Sequence, residues 1–291
     1  MKINEALNQI SAKLQEIPIE NYQAEAYTLL SFICQKELAS LISQPEKKLK
    51  RRERKMLKDL VKKRIQGWPL AYLIKSKGFY QLEFFINKHT LIPRPESEII
   101  IEEFLKRYNK NDEKINIIDL GTGSGCLIIS LAHVLKNKNN INFYGIDISR
   151  QALKVAKKNA KKYKLNKKIK FKTGNLLKPL YKKIKKETAT YYILANLPYL
   201  NKEEIKSEPS LKMEPRQALD GGKNGLEIYE KLFKQVAQIK KNRDFFLYLE
   251  INPWQKDELI EIAKQIFFPT KVSFDFIFDL RGDLRLIVLK I

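Results

Sequence analysis

The run INIIDL at 115 to 120, followed by Gly121-Thr122-Gly123-Ser124-Gly125, constrains this chain more than any other feature. INIIDL reads as a buried strand, the alternating glycines as a tight turn, and CLIISLA as the start of an apolar helix. Strand, glycine turn and helix in that order predict an open α/β sheet. In such sheets ligands sit beyond the carboxyl ends of the strands, where helix amino termini offer free N–H groups. The spacing narrows the ligand. A dinucleotide fingerprint, GxGxxG, requires glycine at 126, where this chain has Cys126. GxGxG suits a compact cofactor without a pyrophosphate, S-adenosylmethionine rather than NAD. Asp147 closes the next strand in GIDIS, where a carboxylate can accept both ribose hydroxyl protons. The expected cofactor residues are therefore Gly121, Thr122, Gly123, Ser124, Gly125 and Asp147, with Asn175 and Leu176 at the adenine.

The same rhythm continues along the chain. NFYGIDI precedes a helix from 149, KIKFKTG and YYILAN follow, and FFLYLE precedes a helix from 254. VSFDFIF at 272 to 278 and LRLIVLKI at 284 to 291 are separated only by DLRGD, too little for a crossover helix, so they must pair antiparallel. The expected fold is α/β and Rossmann-like, a parallel sheet ending in an antiparallel hairpin, as in class I S-adenosylmethionine-dependent methyltransferases. Residues 1–74 carry only helical periodicity, with breaks near Pro18, Pro45 and Gly67 to Pro69, and predict a small helical domain. Residues 75–93 predict a β-hairpin linker, and 94–291 the catalytic domain. Arg94-Pro95-Glu96 fits a helix start and a turn closing over the methionine part of the cofactor.

After YYILA comes Asn196-Leu197-Pro198-Tyr199, at a strand end beside the glycine turn. A planar NH2 group, on an amide or a nucleobase, has a delocalised lone pair and attacks a methyl sulfonium poorly. The Asn196 side-chain oxygen, which also faces the cofactor, and the main-chain carbonyl of residue 197 can accept its two hydrogens while Tyr199 stacks on the plane. Asn196, Pro198 and Tyr199 are the expected catalytic residues, and Asn196 to Tyr199 the expected substrate loop. No strong base is needed, so His89 reads as a surface or hinge residue and His133 as partly buried packing.

Composition bounds the partners. The net charge is +23, but only eleven of the 56 basic residues are Arg, the side chain that reads phosphate in bidentate fashion. The basic runs at 45 to 65 and 154 to 172 alternate with apolar residues at helical spacing and read first as solvated faces, which leaves nucleic acid or ribosome contact open. Two cysteines, Cys34 and Cys126, and two histidines are too few for a structural zinc site or iron–sulfur cluster, so no metal is expected. No run has signal-peptide or membrane-spanning character; a cytoplasmic monomer is expected.

GWPLAYLI at 67 to 74, GFYQLEFFINKHTLIPRPESE at 78 to 98, DLGTGSGCLIISLA, NLPY, and EPRQALDGGKNGLEIY at 214 to 229 together resemble the HemK-type (PrmC) release-factor glutamine methyltransferases over nearly the whole length. The resemblance implies methyl transfer from S-adenosylmethionine to the amide nitrogen of the glutamine in the GGQ loop of class I peptide release factors. It also implies that the helical domain 1–74 helps recognise the factor, that Gly121 to Gly125, Asp147 and Leu176 hold the cofactor, and that Asn196 to Tyr199 hold the glutamine. Leu197 stands where the family usually has Pro, yet Pro198 still biases it toward extended geometry. Asn175 replaces a frequent Asp and keeps an acceptor; LEINPWQ and DLRGDLR also depart from the family pattern. Three alternatives stay open: an rRNA or DNA base amino-group methyltransferase, since NLPY also occurs in ribosomal-RNA adenine dimethyltransferases; a glutamine methyltransferase of a ribosomal protein; and a chain that binds without methylating.

Overall fold

A computed structural model describes residues 1–240 and 243–291. Two compact units divide the chain, Met1–Ser76 and Lys77–Ile291. Among the described residues no helix is long and apolar enough to cross a membrane.

The first unit is helical: α1 (Ile3–Gln15), α2 (Tyr22–Cys34), α3 (Leu38–Ile42), α4 (Arg51–Ile65) and α5 (Leu70–Ile74). Its core joins Ile3, Ile10 and Leu14 of α1 to Leu29 and Leu30 of α2 and Leu57 and Val61 of α4. Each such side chain contributes about 1.5–3 kcal/mol on burial. The half-buried Arg64 guanidinium donates to both Glu25 carboxylate oxygens, at 2.6 and 3.0 Å. The basic residues of α4 mostly face solvent, as their spacing suggested; Met56 and Ile65, apolar residues at the same helical spacing, are exposed as well.

A hairpin begins at the boundary, β1 (Ser76–Phe79) and β2 (Leu82–Phe85), turning through Tyr80 and Gln81 at φ 45° and 60°. Within the second unit β2 is fastened rather than free. The Phe85 N–H donates to Asn159 Oδ1 at 2.8 Å, and Asn159 Nδ2 donates to the carbonyls of Phe85 and Ser124, each at 2.9 Å. Paired strands end at Phe85, short of the 75–93 expected for the hairpin. A short 3₁₀ turn, Pro95–Ser97, leads into α6 (Glu98–Arg107).

The sheet then alternates with helices: β3 (Ile115–Leu120), α7 (Cys126–Val134), β4 (Ile141–Asp147), α8 (Arg150–Lys162), β5 (Ile169–Thr173), α9 (Tyr181–Lys186), β6 (Thr190–Ala195), α10 (Lys202–Ser207), α11 (Glu227–Ile239), β7 (Phe245–Glu250), α12 (Lys256–Phe267), β8 (Ser273–Phe278) and β9 (Leu284–Lys290). Seven strands lie in the order β5-β4-β3-β6-β7-β9-β8. The first five are parallel, and β9 runs antiparallel to both β7 and β8. This is the expected fold class, and most strand ends fall within one residue of the sequence reading. α7 lies against both α6 and α8, and α11 against both α9 and α12. The exposed lysines of α8, Lys154, Lys157, Lys158 and Lys161, stand opposite its buried Leu153, Val155, Ala156 and Ala160.

Chain direction positions the site. From β3 the sheet grows outward through β4 to β5, and from β6 outward through β7, so the strand order reverses between β3 and β6. Connections leaving that point diverge and open a crevice beyond the strand ends. Leu120 pairs with Ala195 as the last residues of β3 and β6, so Gly121 and Asn196 emerge side by side.

Candidate active site

On one side of the crevice the chain turns through Gly121, Gly123 and Gly125 at φ 67°, 54° and 82°, a left-handed region that costs other residues about 1–2 kcal/mol. Gly125 is also close-packed: a β-carbon there would lie 2.8 Å from Ile129 Cδ1 and 3.2 Å from the Ala156 β-carbon. Thr122 turns inward and donates to the Asp119 carboxylate at 2.5 Å. Burial pushes Asp119 up to about 7; the Thr122 hydrogen bond opposes this and nearby Asp147 reinforces it. The Gly123 N–H donates to Asp147 Oδ2 at 2.9 Å and the Ser149 N–H to Oδ1 at 2.8 Å. Burial raises Asp147, opposed by those two backbone bonds. Each oxygen thus accepts one protein hydrogen bond and keeps capacity for another.

These residues border a cleft of about 450 Å³, whose walls include Gly121, Gly123, Asp147, Asn175, Leu176 and Asn196. His89, Thr90 and Leu91 form part of another wall. His89 is exposed at the rim, as expected of a surface residue; His133 is half-buried, edge-on to Tyr163 at 6.0 Å between ring centres.

A second cavity, about 100 Å³, adjoins the first and is bordered by Arg94, Tyr199, Leu200, Leu211 and Leu219. Both cavities share Asn196, Leu197 and Pro198 as walls. Asn196 Nδ2 donates to the Ser97 hydroxyl at 2.7 Å, and among the described residues no donor reaches its Oδ1. Leu197 is buried, its Cδ2 in the space beside Gly121, so an apolar side chain fills the position without a Pro ring. The segment 214–221 braces this loop. The Leu200 N–H donates to the Leu219 carbonyl at 3.1 Å and the Gly221 N–H to the Leu200 carbonyl at 2.8 Å. Gly221 has no room for a side chain, since a β-carbon would sit 2.6 Å from the Pro198 carbonyl oxygen. Buried Glu214 accepts from the Ile92 N–H at 2.9 Å and pairs with the Arg94 guanidinium. Gln255 Nε2 donates to the Tyr199 carbonyl at 3.1 Å.

Of the residues expected from sequence, Gly121, Gly123, Asp147, Leu176, Asn196, Leu197 and Pro198 border the larger cleft, and Tyr199 the smaller. Thr122, Ser124 and Gly125 do not. Thr122 braces Asp119, the Ser124 carbonyl accepts from Asn159, and Gly125 packs against α8, so these three shape the turn from behind. Arg94, Pro95 and Glu96 do not border the larger cleft; Arg94 is drawn instead to Glu214. Sequence reasoning missed Ser97, Asp119, Asn159, Glu214 and Glu250. The only signal for Asp119 and Glu250 is a carboxylate near the end of an otherwise apolar strand.

A reversal-point crevice with a glycine turn, a carboxylate on the next strand and an Asn-Leu-Pro-Tyr loop defines a methyltransferase of the class I fold. Residues 111–265 match the model of a methyltransferase domain, a domain that uses a methyl donor of the S-adenosylmethionine type. The catalytic domain of human METTL16 in complex with an RNA hairpin superimposes with a TM-score of 0.57 at 18% identity, covering 90% of each chain. The N-terminal domain of human METTL16 in complex with SAH gives 0.50 at 19% identity, covering 72% of this chain and 76% of that one. Residues 5–74 match the PrmC N-terminal domain. A release factor glutamine methyltransferase of Borreliella burgdorferi is 35% identical over 94% of this chain and 91% of its own length. One of Dictyoglomus turgidum is 36% identical over 91% and 90%. The chain belongs to the release factor glutamine methyltransferase family.

Proposed function

We propose that this protein methylates the side-chain amide nitrogen of the glutamine in the GGQ loop of class I peptide release factors, using S-adenosylmethionine. The observation that carries the reading is that the two cavities share Asn196, Leu197 and Pro198, with the Asn196 NH2 group tied to Ser97 and its oxygen left for an acceptor. The larger cleft suits the donor. Gly121 and Gly123 bring bare backbone to it, Asp147 keeps two hydrogen-bond positions for a ribose diol, and Leu176 and Asn175 offer an apolar face and a polar edge to adenine. When bound, S-adenosylmethionine supplies an electrophilic methyl group on a sulfonium sulfur.

The chain's own residues must make an amide nitrogen nucleophilic. Asn196 Oδ1 and the Leu197 carbonyl accept its two N–H bonds, favour pyramidal geometry and stabilise positive charge as it develops on nitrogen. The Tyr199 ring covers the amide plane. Burial holds the Tyr199 hydroxyl well above its usual range, and nearby Glu250 adds to that, so it stays neutral. The nitrogen loses its proton only after becoming cationic, when no strong base is required.

The names of the curated relatives support the acceptor. The helical unit, residues 1–74, is assigned to recognition of the factor, with 75–93 as connecting hairpin and 94–291 as catalytic domain, acting in the cytoplasm as a monomer. Incubation with methyl-labelled S-adenosylmethionine and a release factor, its GGQ→GGA variant or ribosomal RNA tests the reading. Label on the intact factor alone is expected; label persisting on the variant, or appearing only on RNA, would reject it.

A further inference from the structure

We propose that Glu250, acting through Ser97, is a positioning residue that keeps the Asn196 amide oxygen turned toward the acceptor. This rests on the role given to Asn196 above. β7 lies parallel to β6 with Leu249 opposite Ala195, so Glu250 sits level with Asn196. It is 3% exposed, and the mechanism leaves it without a task. Its strand end is pinned by the Tyr229 hydroxyl, which donates to the Glu250 main-chain carbonyl. The Tyr199 hydroxyl lies 3.4 Å from Oε1, while Oε2 is buried with no hydrogen-bond partner among the described residues.

Ser97 lies near this carboxylate, whose ionised form it favours, and is also bonded to Asn196. It is buried, and its oxygen accepts from Asn196 Nδ2. Burial pushes Glu250 up to about 7, opposed by the Ser97 and Tyr199 hydroxyls; Glu96 beside Ser97 raises it further and Arg285 on β9 lowers it. Arg285 is itself engaged by Asp279 at 2.8 Å. Of the other groups close by, Tyr229 on α11 is held neutral by burial, and Arg94 is paired with Glu214.

An ionised carboxylate only accepts, so it draws the nearby Ser97 hydroxyl proton toward itself, and the serine oxygen is left to accept from Asn196 Nδ2. That order admits one amide orientation, with Oδ1 toward the acceptor. A protonated Glu250 donates instead, which frees the Ser97 proton for Asn196. The amide can then turn over and offer N–H groups to a substrate that needs oxygens. Transfer therefore rises with pH as Glu250 ionises.

The test compares Glu250→Gln, Ser97→Ala, Ser97→Thr and Asn196→Ala in the full chain with an intact release factor. Readouts are kcat at saturating donor against pH, donor affinity by calorimetry, and the side-chain amide NMR signals of Asn196. Glu250→Gln and Ser97→Ala are expected to lower kcat ~10- to 100-fold. Both should abolish the acid limb near pH 7 and shift the Asn196 signals, with donor affinity unchanged. Ser97→Thr should restore the rate. Wild-type kcat and an unchanged pH profile in both Glu250→Gln and Ser97→Ala, beside an inactive Asn196→Ala, would overturn the positioning role and leave the reading of Asn196 standing. A loss of stability alone would overturn it equally. An active Asn196→Ala would instead remove the reading on which it rests.

Discussion

On the donor side of the crevice, one turn between β3 and α7 does most of the building, with Asp147 on the neighbouring strand accepting the Gly123 N–H. On the acceptor side the groups come from far apart in the chain: Ser97 and Asn196 are 99 positions apart, Arg94 and Glu214 120, Tyr199 and Glu250 51. In the proposed assignment, donor recognition is thus mainly a property of backbone path, whereas acceptor recognition is a property of side chains held by other side chains. Damage to the first should weaken donor binding, and damage to the second should slow transfer while binding persists.

The largest effect that separates the two sides is expected from Asn196→Ala. Loss of a group that stabilises developing charge should lower the single-turnover rate ~10²- to 10³-fold. Donor affinity measured by calorimetry should hardly change, and equal losses in both would merge the two sides. Gly125→Ala tests the donor side. Left-handed φ and contact with Ile129 and Ala156 should combine to at least ~1–2 kcal/mol, read as a lower melting temperature and roughly tenfold weaker donor binding. Turnover at saturating donor should survive.

A smaller effect comes from the buried carboxyls, one on each side. Asp119 and Glu250 are both raised to about 7, so the folded state binds their protons more tightly than the unfolded chain does. The stability this provides is fully present below the unfolded values and is lost as pH rises through about 7. Urea unfolding of the wild type should show that decline, and Asp119→Asn should flatten it by ~1–2 kcal/mol between about pH 4.5 and 7.5. An unchanged slope in Asp119→Asn would mean that this carboxyl is ionised throughout.

The same contrast explains what the sequence disclosed. INIIDL coincides with β3, and the glycine turn and Asp147 could be read as cofactor residues because strand, turn and next strand lie within one stretch of chain. Even there, Thr122, Ser124 and Gly125 proved to stand behind the cleft, since spacing shows that a turn is tight but not which way each residue faces. On the acceptor side Asn-Leu-Pro-Tyr was visible and its supports were not. Glu250 ends FFLYLE as a solvent-facing residue would, and only the packing of β9 and α11 around that strand end makes it buried. The stretch EPRQALDGG stood out by family resemblance, but its tasks, Glu214 on Arg94 and Gly221 under Pro198, exist only once distant segments meet. Met56 and Ile65 teach the converse: helical spacing marks a stripe but not where the neighbouring helices stop covering it.

The most direct test of the account is a crystal structure of the protein with S-adenosylhomocysteine and a release-factor domain carrying the GGQ loop. The account predicts the glutamine amide nitrogen within ~3 Å of both Asn196 Oδ1 and the Leu197 carbonyl oxygen, facing the donor sulfur across the shared wall. A glutamine bound elsewhere, or Asn196 presenting its NH2 group to the acceptor, would contradict it.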